Sequence, residues 1–333
     1  MIPLLQLTVS YRQFMNNIMI KTQCFYMLHI LWKIHSGNII VICDYLTIIY
    51  MASGKCIQIY NKKFVYKNKH SDKVVIFDMD ETIGCFTDLE ALWSVITTSN
   101  IQFSQPHLNS QSMFNTLLDL YPEFLRYGIM NILEYLHYKK KRGEFIGVYI
   151  YTNNQIGKHW SRMIINYLET KIEISGLFNQ IINAFKINTN IIEPLRKSNN
   201  KTRSDFIRCS LLPRNTELCF IDDTHYTQMK HNKVYYIQPK PFFHGLKTGD
   251  IIQRLMDSSI LKTNNDELFR SYFLENNLIT STSKTKQTID EDIFVSRKIL
   301  YHIQDFFLMT TYKNNTRKNK DLGCGIYTGK RRN

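Results

Sequence analysis

Two carboxylates, Asp78 and Asp80, directly follow the apolar run 74–77 and are separated by a single residue. Alternate side chains of a strand share one face, and the turn beyond the strand lets both acids converge in the crevice where open α/β sheets bind ligands. Carboxylates this close repel each other unless a cation lies between them or one holds a proton. The pair therefore predicts a metal or acid/base site, although alone it also fits an acidic turn that caps a helix.

Other polar groups that could take part in a reaction follow later apolar runs. Thr152 and Asn153 come directly after one such run, and a second acidic pair, Asp222 and Asp223, follows another. Lys201 opens a predicted helix between them. Taken singly, these groups fit a helix cap, an ordinary turn and a surface lysine. Because the carboxyl ends of parallel strands gather at one crevice, their order along the chain predicts that they meet in space.

These residue types suit the transfer of a phosphoryl group. A carboxylate nucleophile can accept the group as an acyl phosphate, and a second carboxylic acid can protonate the leaving oxygen and later deprotonate water. Carboxylate oxygens are ligands that Mg²⁺ prefers. A hydroxyl, backbone amides and a lysine can hold the phosphoryl oxygens.

The set resembles the haloacid dehalogenase-like (HAD-like) phosphatases. Their four motifs are a DxDx[TV] loop, a Ser/Thr after the second strand, a Lys, and an acidic pair after the fourth strand. The corresponding residues here are Asp78-Met79-Asp80-Glu81-Thr82, Thr152, Lys201 and Asp222-Asp223. The resemblance covers residues 74–241 and implies a Mg²⁺-dependent phosphomonoester hydrolase that acts through an aspartyl-phosphate.

Further residues narrow the resemblance to one branch. The Glu81-Thr82 pair followed by Ile83-Gly84 is similar to the phosphatases of the RNA polymerase II C-terminal domain, also called NLI-interacting-factor-like phosphatases. Residues 124–129 resemble the Arg-Pro-Gly element of that branch, with Tyr127 in place of proline, and residues 211–223 resemble homologues in large DNA viruses. The resemblance implies phosphoserine or phosphothreonine in protein as the substrate.

The resemblance also assigns roles to the acids. Asp78 would be the nucleophile and a metal ligand. Asp80 would be the general acid/base and would offer its backbone carbonyl to the metal. Asp223 is the expected direct metal ligand, and Asp222 lies beside it, behind the direct ligands of the metal site.

The remaining roles concern the phosphoryl group. Thr152 and the backbone amide of Asn153 would hold it, and Lys201 would pair with the aspartyl phosphate. Lys197 is the nearest alternative lysine, but it lies in a loop-like stretch and is placed less well before the helix. Thr82 is expected to hold the loop and to take no part in the chemistry.

Periodicity supplies the elements that would position these groups. Short apolar runs that alternate with helical patterns predict a three-layer Rossmannoid α/β fold, with a mostly parallel sheet and helices on both faces. The region between the first two motifs predicts a small helical insertion in place of a large cap, which would leave the crevice open to a macromolecular substrate. The predicted strands are residues 74–77, 146–151, 181–185, 218–221 and 234–237, with an edge strand and lead-in over 55–73. The predicted helices include residues 122–142 and 251–272, and an amphipathic helix over 289–307.

The predicted organisation has four parts. Residues 51–250 form the phosphatase-like domain and 251–279 a helical extension, and 280–333 hold a linker, the amphipathic helix and a disordered basic tail. The apolar residues 1–50 are interrupted by Lys33 and Asp44, so no run reaches the length of a spanning helix. A weak anchor is one interpretation. The favoured one is an upstream extension that is untranslated or dispensable, with Met51 as the start, and peptides from 1–50 in a mass spectrum of the natural protein would contradict it.

Composition limits the partners and the compartment. The 333 residues carry a formal net charge of +14, which favours phosphorylated or polyanionic partners. Seven scattered cysteines without a CxxC pair indicate neither a zinc site nor a disulfide framework, so reduced thiols in the cytoplasm or nucleus are expected, including those of a virus-infected cell. The basic tail is a candidate contact for nucleic acid, and no membrane association is predicted. The oligomeric state stays open.

Two other functions are consistent with the sequence. Phosphatases of DNA or RNA 3′ ends share the fold and chemistry, and the positive charge favours them. They typically carry Gly where Glu81 stands, however, and the sequence contains no GxxxxGK[ST] kinase loop. The other alternative is a non-enzymatic basic binding protein on a retained fold, against which the completeness of the motifs argues.

Overall fold

The computed structural model describes residues 31–35, 38–43, 46–51, 54–61, 64–66, 72–98, 109–258, 260–262, 267, 271 and 283–311. For the residues before 54 it describes the backbone alone. The predicted basic tail after 311, residues 280–282 of the linker predicted over 280–288 and most of the helical extension after 258 lie outside these ranges. The linker prediction is wrong for 286–288, which belong to a helix. The prediction that residues 1–50 are dispensable stays a prediction, although three of the described strands fall within 31–51.

Thirteen strands lie in the described part of the chain. They are β1 (Leu31–His35), β2 (Asn38–Cys43), β3 (Leu46–Met51), β4 (Gly54–Tyr60), β5 (Phe64–Tyr66), β6 (Lys73–Phe77), β7 (Gly147–Tyr151), β8 (Phe178–Ile182), β9 (Lys186–Ile187), β10 (Asn190–Ile191), β11 (Glu217–Ile221), β12 (Val234–Pro239) and β13 (Met309–Thr311). Nine of them form one sheet in the order β1-β2-β3-β4-β12-β11-β6-β7-β8. Strand β9 pairs with β10, and β5 pairs with β13.

The sheet has a parallel part and an antiparallel part. Strands β12, β11, β6, β7 and β8 are parallel to one another, whereas β4 pairs antiparallel with β12 and continues into an antiparallel meander through β3, β2 and β1. Every residue of β6, β7, β11 and β12 is buried, as expected of parallel strands covered on both faces. The predicted α/β class with a parallel sheet is therefore confirmed. The predicted edge strand in 55–73 is wrong, because β4 lies between β3 and β12.

Seven α-helices accompany the strands in the ranges described above. They are α1 (Thr87–Thr98), α2 (Ser110–Asp119), α3 (Ile129–Lys141), α4 (Lys158–Lys171), α5 (Arg203–Ser210), α6 (Thr248–Asp257) and α7 (Lys286–Leu308). Alternate residues of β6 face two separate cores. Val75 and Phe77 pack with the helices α1–α4, α6 and α7, whereas Val74 and Ile76 pack with α5. The sheet thus has a thick helical layer on one face and a thin one on the other.

The helix predicted over 122–142 begins later, at Ile129. Pro122–Phe124 forms a 3₁₀ turn, and Leu125 is extended and bridges to Gly84 in the loop after β6. Gly128 then adopts a positive φ of 70° at the helix N-terminus. Tertiary pairing of this segment with the acidic loop overrides the local helical periodicity. The third strand also lies three residues earlier than predicted, at Phe178–Ile182. Of the helix predicted from 251 to 272, residues up to Asp257 belong to a helix that begins at Thr248, and the described residues 267 and 271 are also helical.

The buried histidine His302 makes the stability of the fold dependent on pH. Its Nδ1 lies 3.1 Å from the hydroxyl of Tyr235, and burial, with the nearby charge of Lys298, lowers its pKa from 6.5 to about 4. Because the unfolded chain then binds the proton more tightly than the folded one, this contribution to stability is complete above pH 6.5 and is lost as the pH falls toward 4. The loss amounts to about 3 kcal/mol.

Urea unfolding measured between pH 7.5 and 4 tests this dependence. We expect the wild-type chain to lose about 3 kcal/mol more across that interval than His302→Phe, which has no group to titrate at this position. Equal losses in the two proteins would show that the buried imidazole does not carry the effect.

Candidate active site

The polar residues after β6, β7 and β11 lie at one edge of the sheet. Strands β6 and β11 are parallel neighbours in register, so Phe77 pairs with Ile221 at their carboxyl ends. The backbone N–H of Asp78 then donates to the carbonyl of Ile221 at 2.9 Å. Asp222 follows β11 directly, and Thr152 follows β7 on the other side of β6. The sheet topology therefore brings together groups that are up to 144 residues apart in the chain.

Lys201 lies in the centre of this group. Its Nζ is 2.5 Å from Oδ1 of Asp78 and 2.7 Å from Oδ2 of Asp222, and the residue is only 1% exposed. Burial alone would lower the pKa of Lys201, but the carboxylates of Asp222 and Asp78 raise it above its usual value, so the ammonium stays charged. The alternative Lys197 is exposed. Thr202 caps helix α5 through Asp205 N and so sets the position of the lysine next to it.

Three carboxylates lie close enough to share one cation. One oxygen each of Asp78, Asp222 and Asp223 lies within 4.8 Å of the others. Asp223 is half-buried and is held by Thr82, whose hydroxyl donates to Oδ1 at 3.1 Å and accepts from the Asp223 N–H at 3.2 Å. Asp222 is fully buried against Lys201. The carboxylate of Asp80 does not belong to this group.

Asp80 is instead held by an amide. Its Oδ2 accepts a hydrogen bond of 2.9 Å from Nδ2 of Asn154. Burial, and after it the charge of Asp78, raises the pKa of Asp80 to about 6. A carboxyl group with such a pKa can hold a proton near neutral pH and can also release it, as a general acid/base must. Asn154 was not among the predicted site residues, although the run Thr152-Asn153-Asn154 contains it as a third polar residue.

Thr152 and Asn153 occupy the loop after β7. Thr152 is buried, and its Oγ1 accepts from the backbone N–H of Asn154 at 3.0 Å. Nδ2 of Asn153 donates to the hydroxyl of Tyr226 at 3.0 Å, and Nζ of Lys201 lies 5.3 Å from the centre of the Tyr226 ring. Tyr226 therefore covers the lysine and borders the site. No motif marked it, because an isolated tyrosine after an acidic pair has no spacing signal.

A buried arginine, Arg126, fixes the acidic loop from behind. Its guanidinium donates to the carbonyls of Thr82 and Glu81, both at 2.6 Å, and to that of Lys240 at 3.0 Å. Glu81 has a positive φ of 55°, which places its carbonyl within reach of the arginine. Burial lowers the pKa of Arg126 to about 10. The sequence placed this residue in an Arg-Pro-Gly-like element but assigned it no contact.

The site carries an excess of negative charge. Five carboxylates surround it: Asp78, Asp80, Glu81, Asp222 and Asp223. In the described part of the chain, all the ion pairs of these carboxylates go to Lys201. Burial, followed by the charges of its acidic neighbours, raises the pKa of Glu81 to about 7. A divalent cation at the three clustered carboxylates would offset this repulsion.

Comparison with known proteins adds no relative from which function could be transferred. No protein-family model matches the chain, and no curated protein matches it either. Among the described residues, no helix combines the length and the apolar character needed to cross a membrane.

Proposed function

We propose that the chain is a Mg²⁺-dependent phosphomonoester hydrolase of the HAD-like type, which acts through an aspartyl-phosphate on Asp78. The observation that carries the proposal is the contact of 2.5 Å between Asp78 and the buried Lys201, with Asp222 and Asp223 close enough to share a cation. A carboxylate held between an ammonium and a cation site is placed to accept a phosphoryl group. The order of the five parallel strands, with the strand that carries Asp78 in the middle, also supports this proposal.

In this proposal each residue has a defined task. One oxygen of Asp78 attacks phosphorus, and Lys201 holds a phosphoryl oxygen beside it. Asp80, oriented by Asn154, gives its proton to the leaving oxygen and then takes one from the water that cleaves the aspartyl-phosphate. The hydroxyl of Thr152 and the adjacent backbone amides bind the remaining phosphoryl oxygens.

The donor set fits a hard divalent cation. Asp78, Asp222 and Asp223 offer oxygen atoms only, and Mg²⁺ is bound in proteins through carboxylates, phosphate and water. When bound, the cation would neutralise charge between the nucleophile and the phosphate, which otherwise repel each other.

For the substrate we propose phosphoserine or phosphothreonine in protein. The support is the Asp-Glu-Thr sequence after the nucleophile, which resembles the branch that acts on the RNA polymerase II C-terminal domain. In the described structure, α1 and α2 between the first two motifs belong to the main core with Leu89 and Phe114. Helices that are packed into the core do not have to cover the site, so the site can remain open to a macromolecule.

Removal of the metal tests the proposed class. We expect hydrolysis of para-nitrophenyl phosphate by the full chain to fall by about 100-fold or more in EDTA, since the cation supplies several kcal/mol of transition-state stabilisation. Addition of excess Mg²⁺ should restore the rate, whereas excess Na⁺ should not. Activity that persists unchanged in EDTA would contradict a metal-dependent phosphatase.

One observation favours nucleic-acid 3′ ends as the second candidate substrate. Beyond Asp223 the exposed His225 lies 5.7 Å from the ring of the half-buried Tyr60, and Nζ of Lys230 lies 4.3 Å from the same ring. Aromatic rings beside a cation can stack on bases and contact phosphates. Faster hydrolysis of a 3′-phosphorylated oligonucleotide than of a phosphoserine peptide, with a steep dependence on salt, would favour this candidate. The opposite preference would favour a protein substrate.

A further inference from the structure

A second buried arginine, Arg196, joins three loops at the phosphate-binding end of the site. The residue is 2% exposed, and its carbon Cζ lies 4.7 Å from the centre of the Tyr151 ring. Among the residues that the structure describes, no carboxylate forms an ion pair with it. A guanidinium removed from water without a carboxylate is costly unless its N–H groups are well satisfied.

Four hydrogen bonds satisfy the two terminal nitrogens of this guanidinium, whereas its buried Nε has no partner among the described residues. Nη1 donates to the carbonyls of Thr152 and Asn183 at 2.9 and 2.5 Å, and Nη2 donates to Oδ1 of Asn153 and to the carbonyl of Asn199 at 2.7 and 3.1 Å. These acceptors belong to the loop after β7, the loop after β8 and the loop that leads to Lys201. The planar fork of arginine can serve both pairs of acceptors at once, which the single ammonium of lysine cannot do.

The contact with Asn153 determines how that amide is oriented. Its Oδ1 faces Arg196, so Nδ2 points the other way and donates to the hydroxyl of Tyr226, whose ring lies against Lys201. A series of contacts therefore leads from the interior to the lysine that would hold the phosphoryl group. It passes from Arg196 to Asn153 and then to Tyr226. A misplacement of about 1 Å at such a group can lower a rate about 100-fold.

We propose that Arg196 is a positioning residue for the groups that bind phosphate. It aligns Thr152 and Lys201 for the phosphoryl group through Asn153 and the loop carbonyls, without touching the substrate. The inference rests on the proposed function for its kinetic measurements. It extends that function to a residue that none of the four sequence motifs contains.

The kinetic test compares Arg196→Lys, Asn153→Ala and the double variant with the wild-type chain. We expect each single variant to raise KM for para-nitrophenyl phosphate and Ki for inorganic phosphate about 10- to 100-fold, with a smaller change in kcat. Because both act through the same amide, the double variant should be little worse than either single one. Arg254→Lys is the matched control, since its fork binds Glu123 and the carbonyl of Leu120 away from the site.

Two results would overturn the proposal. One is a wild-type KM and Ki in Arg196→Lys, and the other is a double variant whose effect equals the product of the two single effects. If Arg196→Lys fails to fold, Asn153→Ala alone decides, because an unchanged KM and Ki there exclude the connection through its side chain.

Hydrogen exchange separates this inference from the proposed phosphatase activity. If the wild-type chain shows no Mg²⁺-dependent turnover, the proposed function fails, but amide exchange of residues 152–154 still reports on the loop. Exchange there should be faster in Arg196→Lys than in the wild type and unchanged in Arg254→Lys. Equal exchange in all three proteins would refute the positioning role whatever the activity.

Discussion

Asp78→Asn is expected to abolish phosphatase activity, with a fall in kcat of about 10⁴-fold or more, which is the range for loss of a covalent nucleophile. A neutral amide oxygen cannot accept the phosphoryl group as an acyl phosphate, and the substitution also removes the charge that pairs with Lys201. The measurement is the turnover of para-nitrophenyl phosphate at saturating Mg²⁺, with near-ultraviolet circular dichroism to verify the tertiary packing.

The matched control for this variant is Asp257→Asn. Asp257 is exposed at the end of α6 and accepts a hydrogen bond from Gln253 Nε2 within the same helix, so the same chemical change there should leave kcat unaltered. If Asp78→Asn retained more than a trace of the activity, the covalent mechanism would be untenable. A parallel loss in Asp257→Asn would instead point to a general effect on folding.

Glu217→Gln is expected to lower the free energy of unfolding by about 3–5 kcal/mol, because it leaves a buried lysine without its counter-charge. Glu217 and Lys73 are 1% and 4% exposed and lie 3.1 Å apart at the opposite end of the sheet from the candidate active site. The other carboxylate oxygen of Glu217 accepts from both Thr310 Oγ1 and Thr311 N. The pair thus attaches strand β13 to the start of β6 and β11.

Urea unfolding of Glu217→Gln and Glu144→Gln provides the comparison. Glu144 pairs with Lys139 and Arg142 but is partly exposed, so its loss should cost no more than about 1 kcal/mol. Equal midpoints for the two variants would mean that the buried pair adds nothing beyond a surface contact. The double variant Lys73→Met/Glu217→Leu removes both members of the pair but leaves the Thr310 hydroxyl and the Thr311 N–H without their acceptor, so it should recover only part of the loss.

The sequence alone was sufficient for the elements with strong local signals. Continuous apolar runs such as 218–221 predicted buried strands, because the side chains of a parallel strand are covered on both faces. Their polar successors, Asp78, Asp222 and Thr152, could be expected at a common edge, because parallel strands share one direction. The start of α3 was not predictable in this way. Its boundary depends on the bridge between Leu125 and Gly84, which is a contact between distant segments.

The order of the strands also required the tertiary structure. The sequence predicted a strand within 55–73, but it did not show that β4 lies between β3 and β12. Which strands become neighbours in a sheet depends on how side chains from all layers are buried together. This cannot be read from a local sequence pattern.

What the sequence by itself determined is the set of candidate reactive groups, because the proposed nucleophile, acid, lysine and metal ligands must be particular residue types at the ends of strands. Only the tertiary structure revealed the groups that hold them, among them Arg126, Arg196 and Asn154. The two arginines donate mainly to backbone carbonyls, which every residue possesses. Their hydrogen-bond partners therefore cannot be identified from residue types in the sequence. Their burial results from the meeting of loops far apart in the chain, and folding alone decides which loops meet.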